Sequence, residues 1–435
     1  MNYISFFTNL SYILALPTAF ILLGSAIYLS FFLGFPQICY LPKLWNLLLN
    51  GVKEQRSKTD IKSINSLYAL FTAMSTSLGI GTIVGPSIAI VMGGPGALFW
   101  LVVYQLLAAV TKFTEVTFGI HFRKKLNNGS ILGGPMQYLM EVKPSWAHWY
   151  SWATVFLFAS WSSLQTNVLA EVLQQQGIAP WTTGLIMATL TFIMLNGGAK
   201  RIGQFNSKLV PFMFVLYTSF CMYMLSTHIY ELKIALEQIL NSIIAPAPTI
   251  GGFLGATVYT AISTGVYKGA YVSESGMGTA AIPHSLANVQ KPTDQGILAI
   301  SSVFVEILLC LISGLLILMS GVWTYGTITN VMMYAVFQQY LPSIGHIVLL
   351  FSIVMFASGT IVGNSFNGRQ SFAALTQYKF LHWYYAINSV IIFMGAITEV
   401  PLVWALMDVI LPFVALPNII GLIYLAYKHK GVLKA

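Results

Sequence analysis

Two short glycine-rich stretches are the places in this chain where backbone chemistry is to be expected. Gly79-Ile80-Gly81-Thr82 is followed by Pro86, and Gly276-Met277-Gly278-Thr279 is followed by Pro283, 197 residues further on and again inside a hydrophobic run. In a helix interior glycine costs about 1 kcal/mol and proline about 3, so both runs are predicted to unwind. Peptide groups freed within hydrocarbon cost several kcal/mol each unless protein or a wet cavity satisfies them. Amides opening a new half-helix attract a carboxylate, and carbonyls ending the preceding one attract a cation or an ammonium. Such a break suits a zwitterion bound beside a metal cation. Close helix packing is the other use of small residues; recurrence in register favours binding. Gly79, Gly81 and Gly85 follow no strand, which argues against a phosphate-binding turn. Nor do the residues form a Walker sequence, a zinc spacing or a catalytic triad.

The elements that must position these breaks are membrane helices. Of 435 residues 57% are hydrophobic and 8% charged, far from the quarter charged that soluble domains carry. At about 20 apolar residues per span there is room for roughly ten. The 21 Lys and Arg against 12 Asp and Glu lie in short runs between apolar stretches, so no basic face for nucleic acid is expected. Cys39, Cys221 and Cys310 are too scattered for a disulfide framework or a metal site. No Lys or Arg precedes Lys43, so the first apolar helix reads as retained and not as a signal peptide.

Apolar runs predict an all-α polytopic membrane protein with about eleven helices: 11 to 34, 66 to 90, 97 to 120, 147 to 174, 181 to 197, 209 to 228, 255 to 282, 296 to 320, 345 to 366, 383 to 397 and 402 to 426. With the N-terminus outside and the C-terminus cytoplasmic, every Lys and Arg falls inside except Lys233, outside, and Lys268, within a span. That is the positive-inside bias. One transmembrane domain of residues 1–435 is expected. It divides into an extra helix and cytoplasmic linker (1–65), a first five-helix repeat (66–228) and a second (253–427). Each repeat opens on one of the glycine breaks. Five is odd, so the second repeat crosses in the opposite sense, as inverted-repeat transporters do around a midplane site.

The sequence also resembles the alanine or glycine:cation symporters of bacteria and archaea. The resemblance rests on the GxG break, Met92-Gly93-Gly94-Pro95-Gly96-Ala97, Thr111-Lys112-Phe113 with Glu115, Gly133-Gly134-Pro135-Met136, Lys208-Leu209-Val210-Pro211, Ser273-Glu274-Ser275-Gly276-Met277-Gly278 and Ala415-Leu416-Pro417-Asn418. It implies a leucine-transporter-like five-plus-five core, no enzymatic activity and no cofactor. It also implies import of a small neutral amino acid, alanine or glycine, with sodium as coupling ion, across a bacterial inner membrane. The chain departs from the family pattern at Thr82 (usually Asn), at Ser273 and Ser275 (usually Asn and Ala) and at Gly359 (usually Ser). From Asn364 to Gln370 it replaces a Trp-Ser-Tyr-Tyr-Gly-Glu-Arg pattern. Proton coupling or exchange on the same fold, and a non-transporting sensor or scaffold, are the alternatives these departures leave open.

Substrate contacts are expected from Gly79, Ile80, Gly81, Thr82, Ser273 and Gly276 at the breaks. Thr82 has the competing option of bonding a carbonyl one turn back. The resemblance adds Gln165 as a ligand contact and Asn167 as a link between helices. It also adds Ser358 and Thr360 as sodium ligands together with carbonyls near Thr76 and Gly79, since a hard cation takes oxygen donors. Intramembrane charges are functional by default. Lys268, Glu274 and Glu306 are therefore assigned to gating or coupling, with Lys268 paired to Glu274, and Asp408 is a further isolated acid.

Overall fold

The computed structural model describes residues 3–53, 63–127, 129–244, 257–325, 332–398 and 400–434. Most of the predicted linker charges (Glu54, Arg56, Lys58, Asp60, Lys62) and the predicted start of the second repeat at 253 lie outside them.

Helices occupy all eleven apolar stretches. We number the principal ones α1 (Tyr3–Leu33), α2 (Ser66–Ser77), α3 (Gly81–Gly93), α4 (Gly96–His121), α5 (Pro144–Gln174), α6 (Pro180–Asn196), α7 (Gly198–Thr227), α8 (Ile229–Asn241), α9 (Val258–Ser273), α10 (Ala281–His284), α11 (Pro292–Ser320), α12 (Met332–Tyr340), α13 (Gly345–Thr376), α14 (Leu381–Ile397) and α15 (Val400–Lys428). By length and composition alone, seven helical segments among the described residues are fit to cross a membrane, counting α2 and α3 as one. The shortfall has a physical reason. Helices α6 and α14 are 17 residues each and α9 is 16, and α5 is long but carries Ser, Thr, Gln and Asn on the face it buries.

Three features differ from the sequence expectation. Helix α7 starts at Gly198, eleven residues early, and takes Lys200 and Arg201 into its first turns. The additional helix α8 follows it. The loop after α4 forms a two-residue antiparallel ladder, Lys124 opposite Leu132 and Lys125 opposite Ile131, so among the described residues the fold is all-α but for this hairpin and one isolated bridge.

The broken helices lie against each other in reverse order. Helix α2 packs on α10 and α3 packs on α9, so the half before one break meets the half after the other. A parallel bridge between Ile64 and Ala287 ties one end of this pair. Capping fixes where the outer halves begin: Asn65 Oδ1 accepts from Leu67 N–H at 2.8 Å, and Thr257 Oγ1 accepts from Thr260 N–H at 3.1 Å. Each side chain satisfies an amide that a helix start leaves open. Around the pair, α4 packs on α9 and α11, while α5 packs on α13, α14 and α15. Helix α1 lies outside on α15, α4 and α9.

Candidate functional site

The first break is only three residues, Leu78 to Ile80, between α2 and α3. It borders a narrow cavity of ≈ 10 Å³, about the room of one water molecule. The walls are Thr76, Ser77, Gly79 and Gly81 from the break and Trp161 and Gln165 from α5. Tyr271, Val272 and Glu274 at the end of α9 and Thr360 and Asn364 from α13 complete them.

Gln165 reaches into the break: its Oε1 accepts the Ile80 N–H at 3.1 Å. Thr360 Oγ1 donates to Ser75 O at 2.8 Å and presses on Gly79 from the other side. A Cβ on Gly79 would lie 2.6 Å from Thr360 Oγ1 and 3.2 Å from Gln165 Oε1. Alanine here would force Thr360 or Gln165 to shift, and Gly79→Ala is expected to lower uptake at least about tenfold and to lower the melting temperature by a few degrees. Uptake and melting curves of the one variant check both halves of that statement.

Of the residues singled out from sequence, the structure brings Thr76, Gly79, Gly81, Gln165, Glu274 and Thr360 to this one cavity. The others are placed elsewhere for identifiable reasons. Thr82 is buried and its hydroxyl donates to Gly79 O at 2.7 Å, the local option. The Ile80 side chain is in the hydrophobic core, and only its N–H meets the site. Ser358 turns its hydroxyl to Val354 O at 2.7 Å on its own helix, so of the two sodium ligands expected on α13 Thr360 alone lines the cavity. Asn167 Nδ2 donates to Gly395 O at 2.8 Å and Thr398 O at 2.7 Å, linking α5 to the end of α14.

The second break is longer, Glu274 to Ala280, and turns on left-handed backbone at Glu274 (φ 55°), Gly276 (φ 95°) and Gly278 (φ 79°). Glycine adopts this region at no steric cost and glutamate does not. The amides of this break are already taken. Glu115 Oε1 on α4 accepts from Gly276 N–H and Gly278 N–H, each at 3.0 Å, and from Asn418 Nδ2 at 2.7 Å. Asn418 Nδ2 also donates to Gly276 O at 2.9 Å. Ser273 is buried with its hydroxyl accepting the Ser275 N–H at 3.3 Å. Ser273 and Gly276 therefore sit behind the cavity and not on it: a protein carboxylate fills the anion position that the break creates. Of the second break only Glu274 lines the cavity.

The expected pairing of Lys268 with Glu274 is replaced by another. Lys268 Nζ lies 3.6 Å from Asp408 Oδ2 and over the rings of Tyr267 and Tyr271, 5.7 and 5.8 Å from their centroids. The Glu274 carboxylate instead accepts from the Thr279 hydroxyl. Glu306 is fully buried and paired with Lys112, whose Nζ is 2.9 Å from Oε1 and 3.3 Å from Oε2. It also accepts from the Ser77 hydroxyl at 2.6 Å. Ser77 lines the cavity, so this ion pair stands directly behind its wall.

Sequence reasoning gave no site role to Trp161, Asn364 or Glu115. Helical spacing carried a signal for two of them. Trp161 is four residues before Gln165 and Asn364 four after Thr360, which places each on the same helix face as its neighbour. Nothing local marks Glu115, whose partners are 161, 163 and 303 residues away.

Known proteins resemble this chain along most of its length. The chain is 31% identical over 426 residues to an uncharacterized transporter of Haemophilus influenzae, covering 95% of this chain and 91% of that one. It is likewise 31% identical over 419 residues to the sodium/alanine symporter AgcS of Methanococcus maripaludis, covering 93% and 91%. Among solved structures, MhsT in complex with L-phenylalanine superposes with a TM-score of 0.58 at 17% identity, covering 84% of this chain and 89% of that one. That likeness speaks for the leucine-transporter-like fold. The profile of the sodium:alanine symporter family matches residues 2–435, and the chain belongs to that family.

Proposed function

We propose that this protein imports a small neutral amino acid, alanine or glycine, together with sodium across a bacterial inner membrane. Family membership already makes it a multi-pass, sodium-coupled amino-acid symporter and not an enzyme. The choice of substrate goes further. It is supported by a relative named for alanine and by a narrow cavity whose wall at the break is Gly79 and Gly81.

The observation that carries the reading is that one cavity is lined both by Gly79 and Gly81, at the opened turn before α3, and by Glu274, at the end of α9. An amino acid's carboxylate suits the amides and its ammonium suits Glu274. Sodium is assigned to the oxygens of Thr76, Thr360 and the Gly79 carbonyl, where α2 and α13 meet. Each hydroxyl already donates to a carbonyl, so its lone pairs are free to face a cation. Ion and substrate thus share Gly79, and binding of one orders the backbone that the other needs. Transport follows when the two five-helix groups, 66–228 and 253–427, rock about the broken helices. The N-terminus is assigned to the outside and the C-terminus to the cytoplasm from the distribution of Lys and Arg.

The test is uptake of labelled alanine and glycine by proteoliposomes under an inward sodium gradient or an equal potassium gradient. Accumulation only with sodium is expected. Accumulation indifferent to sodium and abolished by a protonophore would establish proton coupling instead. Gln165→Ala removes the acceptor of the Ile80 N–H and part of the wall. An increase of about tenfold or more in the KM for uptake is expected, measured in the same vesicles.

A further inference from the structure

Most polar groups around the cavity have protein partners, and two do not. The Oδ1 of Asn364 and the indole N–H of Trp161 are both fully shielded and neither meets a hydrogen-bond partner. The residues are 1% and 3% exposed. By contrast Gln165 holds Ile80, Thr360 holds Ser75, and Glu274 holds Thr279. Native proteins rarely leave such atoms unpaired, and an orphan in a binding cavity points to a ligand atom or a bound water. Here one orphan accepts and one donates. The amide of Asn364 offers both functions whichever way it is turned.

The charged ends of an amino acid are already accounted for by the amides at Gly79 and Gly81 and by Glu274. The orphans are left for the side chain. A methyl group satisfies neither of them, and glycine brings nothing. A hydroxyl is the smallest group that can both accept from an indole N–H and donate to an amide oxygen, and both residues line the one narrow cavity.

We propose that Asn364 and Trp161 form a side-chain subsite that selects, within the small neutral class, an amino acid bearing a β-hydroxyl, serine ahead of alanine. This rests on the reading that the cavity binds an amino acid. Sites built to hydrogen-bond a hydroxyl discriminate strongly against analogues lacking it, because their buried groups are then stranded.

The experiment is equilibrium binding of serine, alanine and 2-aminobutyrate to the full-length protein in detergent with sodium. 2-Aminobutyrate replaces the serine hydroxyl by a methyl of similar size. Serine is expected to bind about 10- to 100-fold more tightly than 2-aminobutyrate, with the ratio falling towards one in Asn364→Leu and in Trp161→Phe. The second variant keeps an aromatic ring and removes the N–H, so it remains informative where the first fails to fold. Serine and 2-aminobutyrate binding within about twofold of each other in the unaltered protein, or a preference that survives both substitutions, overturns the subsite and leaves the amino-acid reading intact. A folded protein, shown by its melting curve, that binds none of the three overturns that reading and the subsite with it.

Discussion

Glu115→Ala is expected to destabilise the protein by about 3 to 5 kcal/mol, enough to cost most of the folded yield, although position 115 does not line the cavity. One carboxylate oxygen, Oε1, accepts from two backbone amides of the second break and from Asn418. Removing it strands three donors in a fully buried place. A stranded buried donor costs about 1–3 kcal/mol, and breaking a buried charged network costs about 3–5. Glu115→Gln keeps an oxygen in the same position, so it is expected to retain most of the yield and a cooperative melt. Thermal unfolding in detergent separates the two variants. Equal loss in both would mean that the charge, and not the acceptor, holds the break. The same arrangement explains why the two breaks are not equivalent: the second is closed by the protein's own anion, whereas the first, its Ile80 N–H held by Gln165, borders the cavity with Gly79 and Gly81.

The second large effect belongs to Lys112 and Glu306. Both are buried, the ammonium also donates to Ser302 Oγ at 3.0 Å, and the carboxylate takes the hydroxyl of Ser77 in the cavity wall. Lys112→Met leaves an unpaired carboxylate in the membrane interior, and Glu306→Leu leaves an unpaired ammonium. Each is expected to cost about 3–5 kcal/mol. The double replacement removes both charges and is expected to recover most of that loss, because an apolar pair of similar volume is often neutral or stabilising. Melting temperatures of the three variants complete the cycle. Additive losses would show that the two side chains do not act as a pair. Uptake should recover less than stability in the double variant, since Ser77 loses its acceptor and the wall beside Gly79 loses its support.

How much of this was legible beforehand differs by level. The GxG stretches predicted unwinding at both places, and both helices are broken there. Eleven apolar stretches became helices because burial in lipid and in a helix bundle both demand backbone bonds satisfied within the segment. The start of α7 was misplaced since Lys200 and Arg201 interrupt the apolar run without interrupting the helix, long basic side chains being able to extend towards water. Thr82 and Ser358 illustrate a different limit. A hydroxyl in a helix always has a carbonyl within reach one turn back, so the residue type alone cannot assign it to a ligand. Lys268 shows a third. Six residues separate it from Glu274, yet its counter-ion is Asp408, 140 positions on.

The sequence by itself determined the membrane setting, the helical architecture, the two breaks and the family, because apolar length, glycine and proline act locally and repeat in register. Only the tertiary structure decided which break stays open. That choice depends on Glu115, Asn418, Gln165 and Thr360 arriving from helices far apart in the chain, and their meeting is a product of packing, which no local pattern encodes.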